Sequence, residues 1–113
     1  MILVDSSVWT DYFRGAITPQ TDCLDLLLSR ELLCIGDLIL TEVLQGFGSE
    51  REFNQARKLL LSLDVIALGG QETALTAARN IRTLRARGVT VGKTMNALIA
   101  TCCIETDLAL LYS

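Results

Sequence analysis

Met1-Ile2-Leu3-Val4-Asp5-Ser6-Ser7 is the stretch on which the fold turns. Four apolar residues end at a carboxylate followed by two hydroxyls, the pattern of a short buried strand that delivers polar groups to its carboxyl end. In open α/β sheets, ligands bind in the crevice beyond the carboxyl ends of the strands. Asp5 is therefore expected at the working edge of such a sheet.

Outward from that strand the elements alternate. A short helix is expected around residues 7–14, carrying Val8, Trp9, Tyr12 and Phe13. Thr18 and Pro19 read as the N-cap and first residue of a second helix, to about residue 30. A buried strand at 32–35 is broken by Gly36, and a helix from Asp37 carries Glu42 and ends near Gly46 or Gly48. Ser49 and Glu52 form a capping-box pattern for a helix to about residue 62, with Phe53, Ala56, Leu59, Leu60 and Leu63 on its inner face. A strand at 65–68 closes on Gly69 and Gly70. The helix after it, about 71–87, places Ala74, Leu75, Ala78, Ile81 and Leu84 at helical spacing, with Gly88 past its end. A last helix, about 94–105, precedes a strand at 108–112. Strands alternating with helices imply an α/β fold, a parallel sheet covered by helices on both faces. At 113 residues the chain is one domain, 1–113.

Composition narrows the chemistry. Half the residues are apolar, enough for a core without covalent staples. No segment approaches the roughly 20 apolar residues that span a bilayer, and Met1 opens directly into the first strand without a basic leader, so a cytoplasmic protein with no membrane contact is expected. The four cysteines show neither a CxxC pair nor zinc-ligand spacing and read as small buried hydrophobes in a reducing compartment. The chain has no histidine, which excludes Ser–His and Cys–His nucleophile pairs and histidine-based zinc sites. Carboxylates, hydroxyls, lysine or a bound cation must carry any reaction.

The net charge of −3 argues against a non-specific nucleic-acid binder, but the distribution is uneven. From Thr73 to Ile104 there is no acid, while Arg79, Arg82, Arg85, Arg87 and Lys93, half of the ten basic residues, fall there. That layout suits a polyanion held on one side and a cation on the other; a solvated basic helix face is the plainer reading.

Three positions could carry chemistry. Asp5 is either a cap for the following helix or a metal ligand, two compatible roles, with Ser6 and Ser7 orienting it or forming a local turn. Glu42, flanked by Leu38, Ile39, Leu40, Val43 and Leu44, is either the polar stripe of an amphipathic helix or a carboxylate held in a cleft. Asn96 shares a helix face with Ile99, Ala100 and Cys103 and is either an N-cap, a role for which Thr94 competes, or a site residue. Trp9, Tyr12 and Phe13 put three of the six aromatics within five residues, as core packing or as a surface for a partner.

Taken together, Ile-Leu-Val-Asp-Ser-Ser-Val-Trp (2–9), Leu-Thr-Glu-Val-Leu-Gln-Gly (40–46) and Gly-Val-Thr-Val-Gly-Lys-Thr-Met-Asn-Ala-Leu-Ile-Ala (88–100) resemble the PIN-domain ribonucleases of the VapC toxin type, in order and spacing over the whole chain. The resemblance implies a single α/β domain that cleaves RNA with Mg²⁺ or Mn²⁺ held by carboxylates, that forms a homodimer and that is silenced by a cognate antitoxin. Carried over by position, Asp5 matches the first acidic ligand and Glu42 the second. The family's third acid falls where this chain has Asn96. Its fourth would follow Ser113, so the resemblance also implies that the family's last elements are lacking.

By that reading Asp5, Glu42 and Asn96 form the metal and catalytic site, and Arg79, Arg82, Arg85 and Lys93 contact RNA phosphates. Carboxylates crowded to about 4 Å repel by about 4 kcal/mol per pair at an effective dielectric near 20, and a hard divalent cation offsets this through oxygen ligands. An amide at position 96 can ligate but brings no charge, so a weakened site is expected. The alternative is a degenerate PIN domain that binds antitoxin or RNA without cleaving. A phosphoacceptor receiver domain would need a central strand ending in Asp; Asp64 instead precedes its strand.

Overall fold

The apolar start forms β1 (Ile2–Val4), with Leu3 and Val4 fully buried. A computed structural model describes residues 1–30 and 32–112; the expectation attached to Ser113 lies outside the described residues. After β1 come α1 (Ser6–Phe13), α2 (Pro19–Ser29), β2 (Leu33–Gly36), α3 (Asp37–Leu44), α4 (Glu50–Leu60), β3 (Asp64–Ile66), α5 (Gln71–Ala86), α6 (Thr94–Thr106) and β4 (Ala109–Leu111). The strands form one parallel sheet in the order β3-β2-β1-β4. β1 lies between neighbours, with Leu3 opposite both Cys34 and Leu110. The third strand begins at Asp64, so this residue opens the strand instead of preceding it.

Two compact units divide the chain: Met1–Ile66 with the returning β4, and Ala67–Leu108. In the first, α1 packs on α2 and α3, and α3 packs on α4 and β2. Its core includes Leu3, Val4, Val8, Trp9, Leu24, Ile35, Ile39 and Leu60. Trp9 is fully buried. It stacks on Phe13 at 6.0 Å and meets Tyr12 edge-on at 6.1 Å. Trp9 is thus core packing and offers no partner surface; Tyr12 and Phe13 are half-buried. The second unit is α5 packed on α6, with Ala77, Ile99, Cys102 and Cys103 buried.

The start signals of the helices differ from expectation at one place. At α2, Thr18 Oγ1 accepts from the Thr21 amide at 3.0 Å, and the Thr18 amide donates to Thr21 Oγ1 at 2.8 Å, a complete reciprocal box. At α4, Ser49 Oγ accepts from the Glu52 amide at 3.3 Å, and the Glu52 carboxylate makes no bond back to the cap. The box expected at Ser49 is therefore a single cap, because Glu52 is exposed and lines a cavity instead. Cys23 also departs from expectation. It is exposed on α2, whereas Cys34, Cys102 and Cys103 are buried.

On α5 the positions at helical spacing do not form a buried stripe. Ala77 is the buried residue, and Leu75 and Leu84 are 51% and 40% exposed. No described helix is long and apolar enough to cross a membrane.

Losing a side-chain cap costs typically about 1 kcal/mol, up to about 2. Thr18→Ala with Thr21→Ala removes both halves of the box and is expected to cost near the upper value in urea denaturation, and Ser49→Ala about half as much. Equal losses would contradict the difference between the two caps.

Candidate metal centre

Strand order marks where a ligand crevice is expected. From β1 the chain steps outward to β2 and β3, then returns to the other side of β1 with β4. The order thus reverses between β1 and β4, and the crevice beyond the carboxyl ends of two such strands is where open α/β sheets bind ligands. Asp5 follows β1 at that point.

Its backbone is held from two sides. The Asp5 amide donates to the Leu111 carbonyl of β4 at 2.9 Å, and the Asp5 carbonyl accepts from the Val8 and Trp9 amides at 3.2 and 3.4 Å. Asp5 occupies the N-cap position of α1, yet its side chain makes no capping bond. The carboxylate instead accepts from Ser7 Oγ at Oδ2, 3.0 Å away. Ser7 therefore orients the carboxylate and leaves Oδ1 to other partners. Ser6, the first residue of α1, is half-buried beside it.

Glu42 enters from the adjacent connection. β2 pairs with β1, Gly36 ends it, and α3 starts at once with Asp37. Glu42 lies between buried Ile39 and Val43 on α3. Its Oε1 is buried and has no hydrogen-bond partner among the described residues. A buried polar atom left unpaired costs about 1–3 kcal/mol, so it marks either a strained carboxylate or one whose partner is not protein. Glu42 also lines a cavity of about 440 Å³ with Thr10, Phe13, Arg14, Phe47 and Glu52. Phe13 and Phe47 meet edge-on there at 5.5 Å. Thr10 was not anticipated, although Ser6, Thr10 and Phe13 follow helical spacing and could have shown that α1 carries hydroxyls and an aromatic on one side.

Asn96 belongs to the second unit. It is the third residue of α6 and is exposed. Lys93 holds the N-cap position without a side-chain capping bond, so neither Asn96 nor Thr94 caps the helix. Arg79, Arg82 and Arg85 are exposed on α5, and Lys93 is exposed ahead of α6.

A larger cavity, about 750 Å³, opens at the opposite edge, where β2 and β3 begin at Leu33 and Asp64. Tyr12 lines it with Asp25. Burial, then the Asp25 charge, then their 3.5 Å hydrogen bond raise the tyrosine above its ordinary range.

Asp5 and Glu42 are both oxygen donors, the type a hard divalent cation takes, and the orphaned Oε1 of Glu42 is consistent with that use. Among the described residues no group of three or more acidic, cysteine or histidine side chains gathers as a metal site. The donor set therefore fits Mg²⁺ or Mn²⁺ in kind, with little charge to hold it.

A family model described as the PIN domain matches residues 2–113. Among solved structures, the chain is similar to one in the crystal structure of VapBC2 from Rickettsia felis bound to a DNA fragment from their promoter. The two share 20% identity, covering 97% of this chain and 85% of that one, with a TM-score of 0.71. No curated protein matches significantly.

With divalent metal removed by chelation, Glu42→Met is expected to raise stability to urea by about 1–3 kcal/mol, since it removes the unpaired buried oxygen and keeps the volume. A loss of stability would show that the oxygen has a stabilising partner.

Proposed function

The chain belongs to the PIN domain family, and on that premise we propose that it is a metal-dependent endoribonuclease toxin of a toxin–antitoxin pair, weakened at one ligand. PIN domains are generally nucleases that use divalent metal ions. The observation that carries the reading is the buried Oε1 of Glu42, which has no partner among the described residues and stands on the connection after β2, the strand next to the one that Asp5 follows.

In this reading Asp5, Glu42 and the amide oxygen of Asn96 hold Mg²⁺ or Mn²⁺. When bound, the cation lowers the pKa of an attacking water and offsets charge on the scissile phosphate. Ser7 fixes the rotation of the Asp5 carboxylate through its hydroxyl. Glu42, held by the buried residues around it, offers a second carboxylate without a large conformational search. Asn96 adds an oxygen but no charge, which leaves affinity for a hard cation low. The likeness to a chain of the VapBC2 assembly supports an antitoxin protein as partner; a second copy of the chain, an RNA substrate and a cytoplasmic setting belong to the same proposal.

A second reading has a specific observation behind it. An amide at position 96, with no three-acid cluster among the described residues, suits a degenerate PIN domain that binds antitoxin or RNA without cleaving it.

Mn²⁺-dependent cleavage of a mixed RNA pool separates the readings when the chain and its Asn96→Asp variant are compared. The weakened-nuclease reading expects the variant to cleave at least tenfold faster. Cleavage by neither chain supports the binding domain, and equal cleavage by both removes position 96 from the site.

A further inference from the structure

We propose that the arginine face of α5 is a track for the sugar–phosphate backbone of single-stranded RNA, one that leads toward the end of α6 carrying Asn96. This deepens the nuclease reading and rests on it for the identity of the strand.

Arg79, Arg82 and Arg85 recur every third residue, so they sweep about 120° of the helix and rise about 4.5 Å from one to the next. All three are exposed, as is Leu75 on the same face. Among the described residues their guanidinium groups make no ion pair or hydrogen bond. No acid stands three or four positions away on α5.

The helix dipole accounts for part of this charge only. It favours cations in the last turn, which covers Arg85 and the C-cap Arg87. Arg79 and Arg82 lie in the middle of the helix, where like charges three residues apart oppose helix formation. The chain keeps them despite a pI near 4.8. An unpaired cationic row on a folded helix is complementary to a phosphate backbone, and arginine is suited to phosphate recognition by its forked geometry.

Direction follows from connectivity within this unit. α5 ends at Ala86 with Arg87 as its C-cap, and Gly88, at a positive φ of 82°, turns the chain. Residues 88–92 then lead to Lys93 and the first turn of α6, which packs back on α5. Arg85, Arg87, Lys93 and Asn96 thus share one end of the helix pair. A strand lying along the row arrives at position 96.

The test is fluorescence anisotropy of a labelled single-stranded RNA in EDTA, which separates binding from cleavage, as a function of salt. Each phosphate contact on a single strand contributes about 0.7 to the slope of log affinity against log salt. Substituting Arg79→Gln, Arg82→Gln and Arg85→Gln together is expected to lower the slope by about 2 and affinity at 0.1 M salt by about 100-fold. The same charge change on α4, Arg51→Gln with Arg57→Gln and Lys58→Gln, is expected to do much less. Thermal melting should show the α5 variant at least as stable as the parent, since like charges are removed.

An unchanged slope, or equal losses in the two triple variants, overturns the proposal. So does tighter, arginine-dependent binding of duplex DNA or of poly-glutamate, which would assign the row to DNA or to an acidic protein. RNA binding through the row without metal-dependent cleavage supports the track while removing the nuclease reading, so the two fail separately.

Discussion

A carboxylate can serve a metal only if something besides the metal holds it in place, and here that is the parallel pairing of β1 between β2 and β4. The Asp5 amide is bonded to Leu111 of β4 just as the Asp5 carbonyl starts α1. Slipping either strand by one residue would turn Leu3 and Val4, both fully buried, toward the opposite face. The register that buries the first strand is therefore the same register that presents Asp5. Glu42 depends on the neighbouring pair in the same way, since β2 ends at Gly36 and α3 begins without an intervening loop.

Charge is distributed along the chain with the same economy. Residues 1–66 hold ten of the thirteen acids and five bases, and residues 67–108 hold three acids and five bases. The first unit carries most of the carboxylates and the second carries the arginine row. Two carboxylates repel each other less than four would, so the metal-free protein carries less electrostatic strain. In the proposed reading the same deficit weakens the hold on a cation. In the proposed site, Asn96 spares the fold a third charge and brings no charge to a cation.

Much of this was legible in the sequence because the decisive signals are local. The run into Asp5, the Thr18–Pro19 start and the glycines after the helices follow from strand length, capping and backbone freedom, and every element forms within two residues of its expected bounds except for the later end, Gly48, offered for α3. What was not legible depends on contacts between elements. Nothing local shows that Trp9 is wholly buried while Cys23 on α2 is exposed. Helical spacing on α5 gave a stripe without saying which side meets α6, and the side proved to centre on Ala77. The sequence left Asp5 open between a helix cap and a ligand oriented by its serines, and only the fold shows its side chain bonded to Ser7 with no capping bond. The Glu42 oxygen, without a partner among the described residues, is buried only when α3 packs between its neighbours.

Calorimetric titration with Mn²⁺ tests the proposal that Asp5 and Glu42 form a cation site most directly. The account predicts weak binding by the chain, loss of that binding in Asp5→Asn and in Glu42→Gln, and tighter binding in Asn96→Asp. Mn²⁺ binding that survives Asp5→Asn unchanged would contradict it.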